Sequence, residues 1–299
     1  MDEIINNAKI NTAELSFKKP SQAKEIWRRF KKSKGAVIGL VMLLCILVVL
    51  ALADVIAPYD LAIKQNLQDK LAPPSGDHLF GLDSYGRDIL SRVIHGGRIS
   101  LVIAFLATLS SCVLGSILGA VAGYFGGKVD SVIMRSLDIF MSIPDILFTM
   151  AVVFALGPSF ENLLIALTLA YFTNYVRLVR SQVLNLAEQD YVEAARAGGA
   201  SSARIIAMHI LPNAMGVIIV NTTLNIAKII IYESTLSFLG LGMPPPAPEW
   251  GLMLAESREF LRSAPHLLFF PAMAIIISAC SVNLIGDGLR DALDPHLKS

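Results

Sequence analysis

The chain has 299 residues, of which 54% are hydrophobic and 16% charged, and its formal net charge at pH 7 is +1. A soluble domain of this length needs far less apolar surface, so the composition predicts an all-α, polytopic membrane protein. The balanced charge gives no general electrostatic argument for nucleic-acid binding. Cys45, Cys112 and Cys280 lie in separate apolar runs, which is typical of small packing residues.

Residues 1–34 form a basic, polar leader, and residues 35–57 form a first transmembrane anchor. The apolar run from Gly35 to Ala53 has roughly the 20 residues that a bilayer requires. It is too long, and its leader too extended, for a cleaved signal peptide. Trp27 and Phe30 stand among basic residues, which fits an amphipathic helix on anionic membrane lipid, although a plain topogenic charge cluster is the simpler interpretation.

Residues 58–97 form a long loop of mixed charge after the anchor. Glycines at positions 81 and 86 predict a tight turn within it. Asp88 is placed to cap a short helix that reaches His95 along the membrane surface. This local pattern alone indicates only a structured re-entry loop.

Five further spans are predicted within residues 98–289, followed by a short tail, residues 290–299. The third span of the chain is interrupted by Arg135 and Asp138 and is treated as one helix. Most lysines and arginines fall in the leader and in segments on its side of the membrane, which predicts six crossings with both termini cytoplasmic. The five spans run from Ile99 to Tyr124, Val132 to Pro158, Asn162 to Tyr175, Asn213 to Phe238, and Leu267 to Gly286.

The segment between the fourth and fifth spans, residues 182–212, is polar and broken by glycine. We predict one helix from Ser181 to Ala197, ended by the glycine pair that follows it. Ser201 or Ser202 then caps a second short helix that ends at Pro212. Such a helix–glycine–helix unit presents a compact surface to something outside the membrane.

This segment resembles the "EAA" loop of ABC-importer permeases, in which Glu-Ala-Ala is followed by Gly at the seventh position and by Leu-Pro near the twentieth. The resemblance implies that the loop, lying in the cytoplasm, couples the permease to separate ATPase subunits. The coupling residues implied are Glu193, Ala194, Ala195, Gly199, Leu211 and Pro212.

Two other blocks resemble one branch of that family. Residues 81–92 are similar to its "GTD-x-x-GRD-x-x-SR" segment, with Leu82 in place of Thr. Residues 233–251 are similar to its "E-x-x-LSFLGLG-x-x-PP-x-PEWG" element. Over about residues 24–298 the chain resembles a permease subunit of dipeptide, oligopeptide or nickel ABC importers, the type with a long outer loop after the first span.

The resemblance implies a bacterial plasma (inner) membrane protein that works with several partners. These are a second homologous permease subunit, two ATP-binding subunits and an extracytoplasmic substrate-binding protein. The chain has no Gly-x-x-x-x-Gly-Lys-Ser/Thr loop, so we expect no cofactor in it, with ATP and Mg bound by the partner subunits. Di- or oligopeptides are the leading substrates; nickel, a metal chelate or glutathione are the alternatives.

A polar stripe in the fifth span is the candidate pore lining. It has four polar residues, separated along the chain by four, three and four positions, which places them on one helix face. A lysine there costs several kcal/mol against lipid, so it should face water, the bundle interior or an acid such as Asp145 or Glu233. Pairing with either acid would leave it only a packing role. The stripe consists of Asn221, Asn225, Lys228 and Tyr232.

Other classes of membrane protein fit the sequence less well. An intramembrane enzyme would need a motif such as Gly-x-Gly-Asp or His-Glu-x-x-His within the spans, and the five histidines do not cluster. We therefore predict that the chain is not an enzyme. A receptor or a purely structural protein would be distinguished from a transporter by failure to bind ATPase subunits.

Overall fold

Long helices account for most of the computed structural model, which describes residues 22–293. Residues 1–21 of the predicted leader and 294–299 of the tail lie outside the described residues. A π turn, Ile206–Ile210, and a 3₁₀ turn, Arg258–Phe260, link neighbouring helices. The helices are α1 (Gln22–Phe30), α2 (Lys34–Ala51), α3 (Ala53–Ile56), α4 (Tyr59–Ile63), α5 (Ile89–Phe125), α6 (Gly127–Met141), α7 (Asp145–Leu156), α8 (Phe160–Ala187), α9 (Asp190–Ala197), α10 (Ser202–Ile205), α11 (Leu211–Phe238), α12 (Trp250–Ser257) and α13 (His266–Leu293).

Five helical segments are long and apolar enough to cross a membrane. They are α2, α5, α8, α13 and the continuous stretch Ser202–Phe238, which contains α10, the π turn and α11. The pair α6 and α7 passes the same test together, although the two helices are bent by 83°. The all-α, polytopic prediction is confirmed, and six crossings result if this bent pair is one span.

The predicted third span is wrong as a single helix, because it breaks between Met141 and Asp145. Pro144 lies in this gap. Proline has no N–H to donate and disfavours helical backbone at the residue before it, here Ile143. The chain therefore leaves α6 and starts α7 in a new direction.

The predicted short surface helix after Asp88 is also wrong in extent. Asp88 does cap a helix, accepting from the Ser91 N–H at 2.8 Å, but this helix continues to Phe125 as α5. Gly96 and Gly97 do not interrupt it. A Cβ at Gly97 would lie 2.7 Å from the Trp250 ring, so these glycines make room for packing inside a continuous helix.

The predicted helix from Ser181 to Ala197 is instead two helices, because α8 ends at Ala187 and α9 begins at Asp190. Val183 of α8 and Val192 of α9 are both buried in one apolar cluster. Nine residues of straight helix would place these side chains on opposite faces. The break lets both valines enter the same cluster.

The second short helix does not end at Pro212, which corrects another prediction. The π turn Ile206–Ile210 leads directly into α11, and Pro212 occupies its first turn. The extra residue of the π turn makes room for the proline ring, which would clash with the preceding turn of a regular α-helix. It also accommodates the backbone hydrogen bond that proline cannot donate. As a result, the segment from Ser202 to Phe238 forms one unbroken helical rod.

The pair α5 and α8 forms the most extensive helix contact in the described residues. Gly115, Gly119 and Gly123 recur every fourth residue along the α5 face that meets α8. A Cβ at Gly119 would lie 2.6 Å from the Val176 carbonyl oxygen. Small residues at this spacing allow two membrane helices to approach closely. This contact fixes the end of α8 from which the coupling segment departs.

Candidate functional site

The glycine turn of the coupling segment has a defined backbone geometry. We call α9, the turn after it and Ser202–Ile210 the elbow. Gly199 has a φ of +79°, and its N–H bonds to the Arg196 carbonyl at 3.0 Å. The Ala200 N–H bonds to the Ala195 carbonyl at 3.1 Å, which completes a Schellman motif. Ser201, rather than Ser202, caps the next helix by accepting from the Arg204 N–H at 3.4 Å.

One side of the elbow is anchored in the bundle. Val192, Ile205 and Ile210 are buried against Val179 and Val183 of α8. Apolar burial of this kind stabilises by about 1.5–3 kcal/mol per side chain, so the elbow is held as part of the bundle. Any force on the elbow is therefore transmitted to α8 and to the helix that begins at Ser202.

The other side of the elbow is accessible. Met208 is 64% exposed and Tyr191 40% exposed, so apolar surface accompanies the charged groups. The Glu193 carboxylate forms no hydrogen bond or ion pair with any described residue. A Cβ at Gly199 would meet no atom within 4 Å. Of the predicted coupling residues, the exposed ones are Glu193, Ala194, Gly199 and Pro212, and the partly buried ones are Ala195 and Leu211.

The polar stripe of α11 lies in three different environments. Asn225 is buried and donates to the Asn221 side-chain oxygen at 2.8 Å. The Tyr232 hydroxyl lies 3.3 Å from that of Thr149 in α7, and its ring packs edge-on against Tyr171 at 5.5 Å. Sequence reasoning did not find these two contacts, because they join separate helices.

Lys228 is the exposed member of the stripe. Within residues 22–293 it forms no ion pair with Asp145 or Glu233, the two acids predicted as its partners. The alternative in which such a pair locks the helices is therefore not supported by the geometry. Lys228 remains available to water or to a group outside this chain.

A groove of about 480 Å³ opens between α11 and α13. Asn221 lies in its wall, and it is the only stripe member that does. Arg290 supplies a positive charge near the end of α13. The groove is lined by Asn213, Gly216, Val217, Val220, Asn221, Leu224, Arg290 and Leu293.

At the opposite end of α11, residues 53–92 and 239–265 form a second unit that we call the cap. Its centre is a network of buried charges. The Arg87 guanidinium donates to Asp83 and to Glu256, both at 2.6 Å. Arg92, fully buried, donates to Glu256 at 3.1 Å and lies 3.5 Å from Asp83. Glu256 was not identified from the sequence, because no local signal reveals a partner so distant along the chain.

The comparison with protein families agrees with the resemblance of the motifs. A family model described as "binding-protein-dependent transport system inner membrane component" matches residues 115–299, which is more than half of the chain. The chain belongs to this permease family. A model described as the N-terminal TM domain of oligopeptide transport permease C matches residues 21–74. The predicted family is confirmed, and it is a family of transport permeases rather than enzymes.

Individual relatives match this permease over most of their length. A dipeptide transport system permease protein of Alkalihalophilus pseudofirmus is 42% identical over 276 residues, which are 92% of this chain and 90% of that protein. The dipeptide permease protein of Haemophilus influenzae is 42% identical over 290 residues, 95% and 98% of the two chains. A glutathione transport system permease protein of Pectobacterium atrosepticum is 41% identical over 276 residues, 92% of each chain.

The matched segments cover the candidate sites of this permease unequally. The segment from residue 115 onward contains the elbow, the stripe and the groove. Asp83, Arg87 and Arg92 of the cap network lie between the two matched segments. The chain is thus a multi-pass permease of a bacterial transport system.

Proposed function

We propose that this permease is one of the two membrane subunits of an ATP-driven importer for di- or oligopeptides. It lies in the bacterial plasma membrane with both termini in the cytoplasm. The observation that carries the proposal is an accessible elbow continuous with a pathway helix, in a chain about 42% identical to dipeptide permeases. An extracytoplasmic binding protein delivers the substrate to the cap side.

The elbow is the docking surface for one of two ATP-binding subunits, which hold the ATP and Mg. Glu193 is accessible and unpaired within the described residues, so it is free to meet a basic group on the ATPase. The Schellman glycine keeps the surface beside it open, because a Cβ there would meet nothing in this chain. Since Ser202–Phe238 is one helix, closure of the ATPases moves it as a lever.

The groove between α11 and α13 is half of the translocation pathway, and a second homologous permease subunit supplies the other half. A zwitterionic peptide in hydrocarbon would leave its polar groups unsatisfied, at roughly 2–7 kcal/mol each. Asn221, held by the buried Asn225, offers its amide group to such a peptide, and the exposed Lys228 is placed to attract its carboxylate. Tyr232 lies farther along the same face.

Glutathione is the second candidate substrate, because a glutathione permease is 41% identical over 92% of the chain. Glutathione and dipeptides are both small zwitterions that a pathway with amides and one lysine would accept. Uptake of labelled dipeptide and labelled glutathione by the reconstituted transporter, each with the other as competitor, separates the two. Peptide import predicts dipeptide uptake that excess glutathione does not inhibit.

Charge reversal at the elbow tests coupling. We expect Glu193→Lys to weaken co-purification of the ATP-binding subunits and substrate-stimulated ATP hydrolysis by at least tenfold, because it places like charges at the contact. Glu188→Lys is the matched control, since Glu188 is also exposed and lies just before α9. Full association and hydrolysis in Glu193→Lys would contradict the coupling role.

Cysteine accessibility tests the pathway, in a background whose three native cysteines are replaced. We expect a water-soluble thiol reagent to modify Asn221→Cys and Lys228→Cys in the assembled transporter, and to modify Asn225→Cys, which is buried in this conformation, only during transport. Ile219→Cys, on an exposed face that lipid would cover, and Ile226→Cys, which is partly buried, should remain unmodified. Protection of all three stripe positions, together with normal uptake by Lys228→Met, would leave the stripe only a packing role.

A further inference from the structure

Two buried carboxyl groups meet where α11 packs against the cap. Glu233 of α11 and Glu249, the residue before α12, are both 0% exposed. The Gly251 N–H binds Glu249, and a Cβ at Gly251 would lie 2.5 Å from the Ser234 carbonyl, so Glu249 lies beside the turn of α11 that carries Glu233. The pair belongs neither to the predicted coupling surface nor to the predicted pore stripe.

The two carboxyl groups differ in the number of donors around them. Glu249 accepts from the Gly251 N–H and from the Leu252 N–H at 3.0 Å, and the Ser100 hydroxyl lies 3.4 Å away. It thereby caps the N-terminus of α12, where a negative charge is stabilised. Glu233 receives only the Ser234 hydroxyl, at 3.3 Å.

Unpartnered polar atoms remain in this site. One oxygen of Glu233 has no hydrogen-bond donor among the described residues. The Ser237 hydroxyl, 1% exposed and beside Glu249, has no partner of acceptable geometry either. The close packing of α12 on α11, where a Cβ at Gly251 would lie 2.5 Å from the Ser234 carbonyl, leaves water little access. Protonation would satisfy such an oxygen, because the acid then supplies the hydrogen itself.

No cation in residues 22–293 neutralises the pair, because the charged groups on the surrounding helices are engaged elsewhere. From α5, Arg92 binds Glu256, His95 binds the Ala57 carbonyl, and Arg98 binds Asp54 and two carbonyls. Glu256 is the only charged side chain of α12, and Arg258 after it donates to the Phe238 carbonyl. Lys228 of α11 is exposed, and α13 carries no charge between His266 and Asp287.

Two ionised carboxylates in this place would be strongly unfavourable. Each buried ion loses several kcal/mol of hydration, and two like charges in neighbouring buried positions repel each other. Burial raises the pKa of the Glu249 carboxyl above its ordinary value, although its backbone donors oppose the shift. Protonation of one carboxyl group removes both the repulsion and one of the two hydration losses. Glu233 has fewer hydrogen-bond donors than Glu249, so its protonation lowers the free energy more.

We propose that Glu233 and Glu249 bind one proton between them at neutral pH, with Glu233 as the neutral acid that donates a hydrogen bond to the Glu249 carboxylate. The shared proton then joins the outer end of α11 to the cap helix α12. Glu233 belongs to the helical rod that begins at the elbow. The shared proton therefore fixes the cap to the helix that, in the proposed function, the ATPases move.

Infrared difference spectroscopy on the purified full-length protein tests for this proton. We expect wild-type protein at neutral pH to show the carbonyl band of a protonated carboxylic acid and Glu233→Gln to lack it. Glu259→Gln, which changes an exposed acid near the end of α12, should keep the band. The absence of this band in wild type, or its persistence in Glu233→Gln, would overturn the proposal.

The pH dependence of unfolding gives a second readout. A proton that is bound in the folded protein and released on unfolding stabilises the fold less as the pH rises. We expect the unfolding midpoint of wild type to fall on going from neutral to alkaline pH, and that of Glu233→Gln to fall less. Gln has the shape of the neutral acid and also donates, so failure of this variant to fold would contradict the proposal. A wild-type midpoint that rises specifically with sodium would assign the site to a cation instead.

Discussion

The elbow and the cap lie at opposite ends of the same rod, and they use the same backbone turn for different purposes. Gly199 at the elbow and Gly240 at the cap both have positive φ, +79° and +86°. Each is the glycine of a Schellman motif, the second one closed by bonds from Gly240 and Leu241 to Ser237 and Leu236. The turn itself therefore does not distinguish a docking surface from a structural one.

The side chains around each turn make that distinction. In the cap, charges are buried and paired across long stretches of chain, as between Arg87 and Glu256. In the elbow, Glu193 is exposed and unpaired within the described residues, beside the exposed Met208. Paired, buried charges make a fixed scaffold, whereas an unpaired charge next to apolar surface is suited to binding a partner protein.

Replacing Glu256 in the cap network should cause the largest loss of unfolding free energy. Glu256→Ala leaves Arg87 and Arg92, which are 2% and 0% exposed, with Asp83 as their one remaining carboxylate. Uncompensated buried charge costs about 3–5 kcal/mol, so we expect a loss near the lower end of that range. Denaturant unfolding of the purified protein measures it.

Glu259→Ala is the control for this prediction, because Glu259 is exposed and three residues away. Its unfolding free energy should stay within about 0.5 kcal/mol of wild type. Equal stability of the two variants would mean that the cap network is not a scaffold, and the contrast with the elbow would disappear.

The two glycine turns allow a matched comparison of intermediate size. Gly199→Val and Gly240→Val each place a branched side chain at positive φ in open space, so each should lose about 1–2 kcal/mol of local stability. Only Gly199→Val should also reduce association with the ATP-binding subunits. Equal association of both variants with the ATPases would show that the elbow turn is a helix end without a partner.

Local signals predicted much of the elbow and most of the spans. Positive φ at Gly199 and the cap at Ser201 follow from residue types whose conformational preferences act within a few positions. Apolar runs located the spans, although the predicted fourth span, Asn162 to Tyr175, covers only the first half of α8. Pro144 carried a local signal for the α6–α7 break, but the apolar residues on both sides obscured it.

Features that depend on distant residues could not be predicted in the same way. The break between α8 and α9 exists because Val183 and Val192 share a cluster formed by other helices. Periodicity placed Asn225 and Lys228 on one face of α11, but which of them is buried is decided by the neighbouring helices. The burial of Glu233 likewise requires α12 to be in place.

The smallest expected effect is at the N-terminus of α10, the second helix of the elbow. Ser201→Ala removes the acceptor for the Arg204 N–H and should cost about 1 kcal/mol at that helix end. Since the rest of the rod is packed, the loss should appear as local fraying, with amide hydrogen exchange at residues 203–205 about fivefold faster. Ser33→Ala provides the comparison, because the Ser33 hydroxyl accepts an equivalent hydrogen bond from the Ala36 N–H, at 3.4 Å, at the start of α2. Fraying in both variants, with weaker ATPase association only for Ser201→Ala, would support the elbow as the docking element. Unchanged exchange at the elbow would mean that Ser201 does not hold its shape.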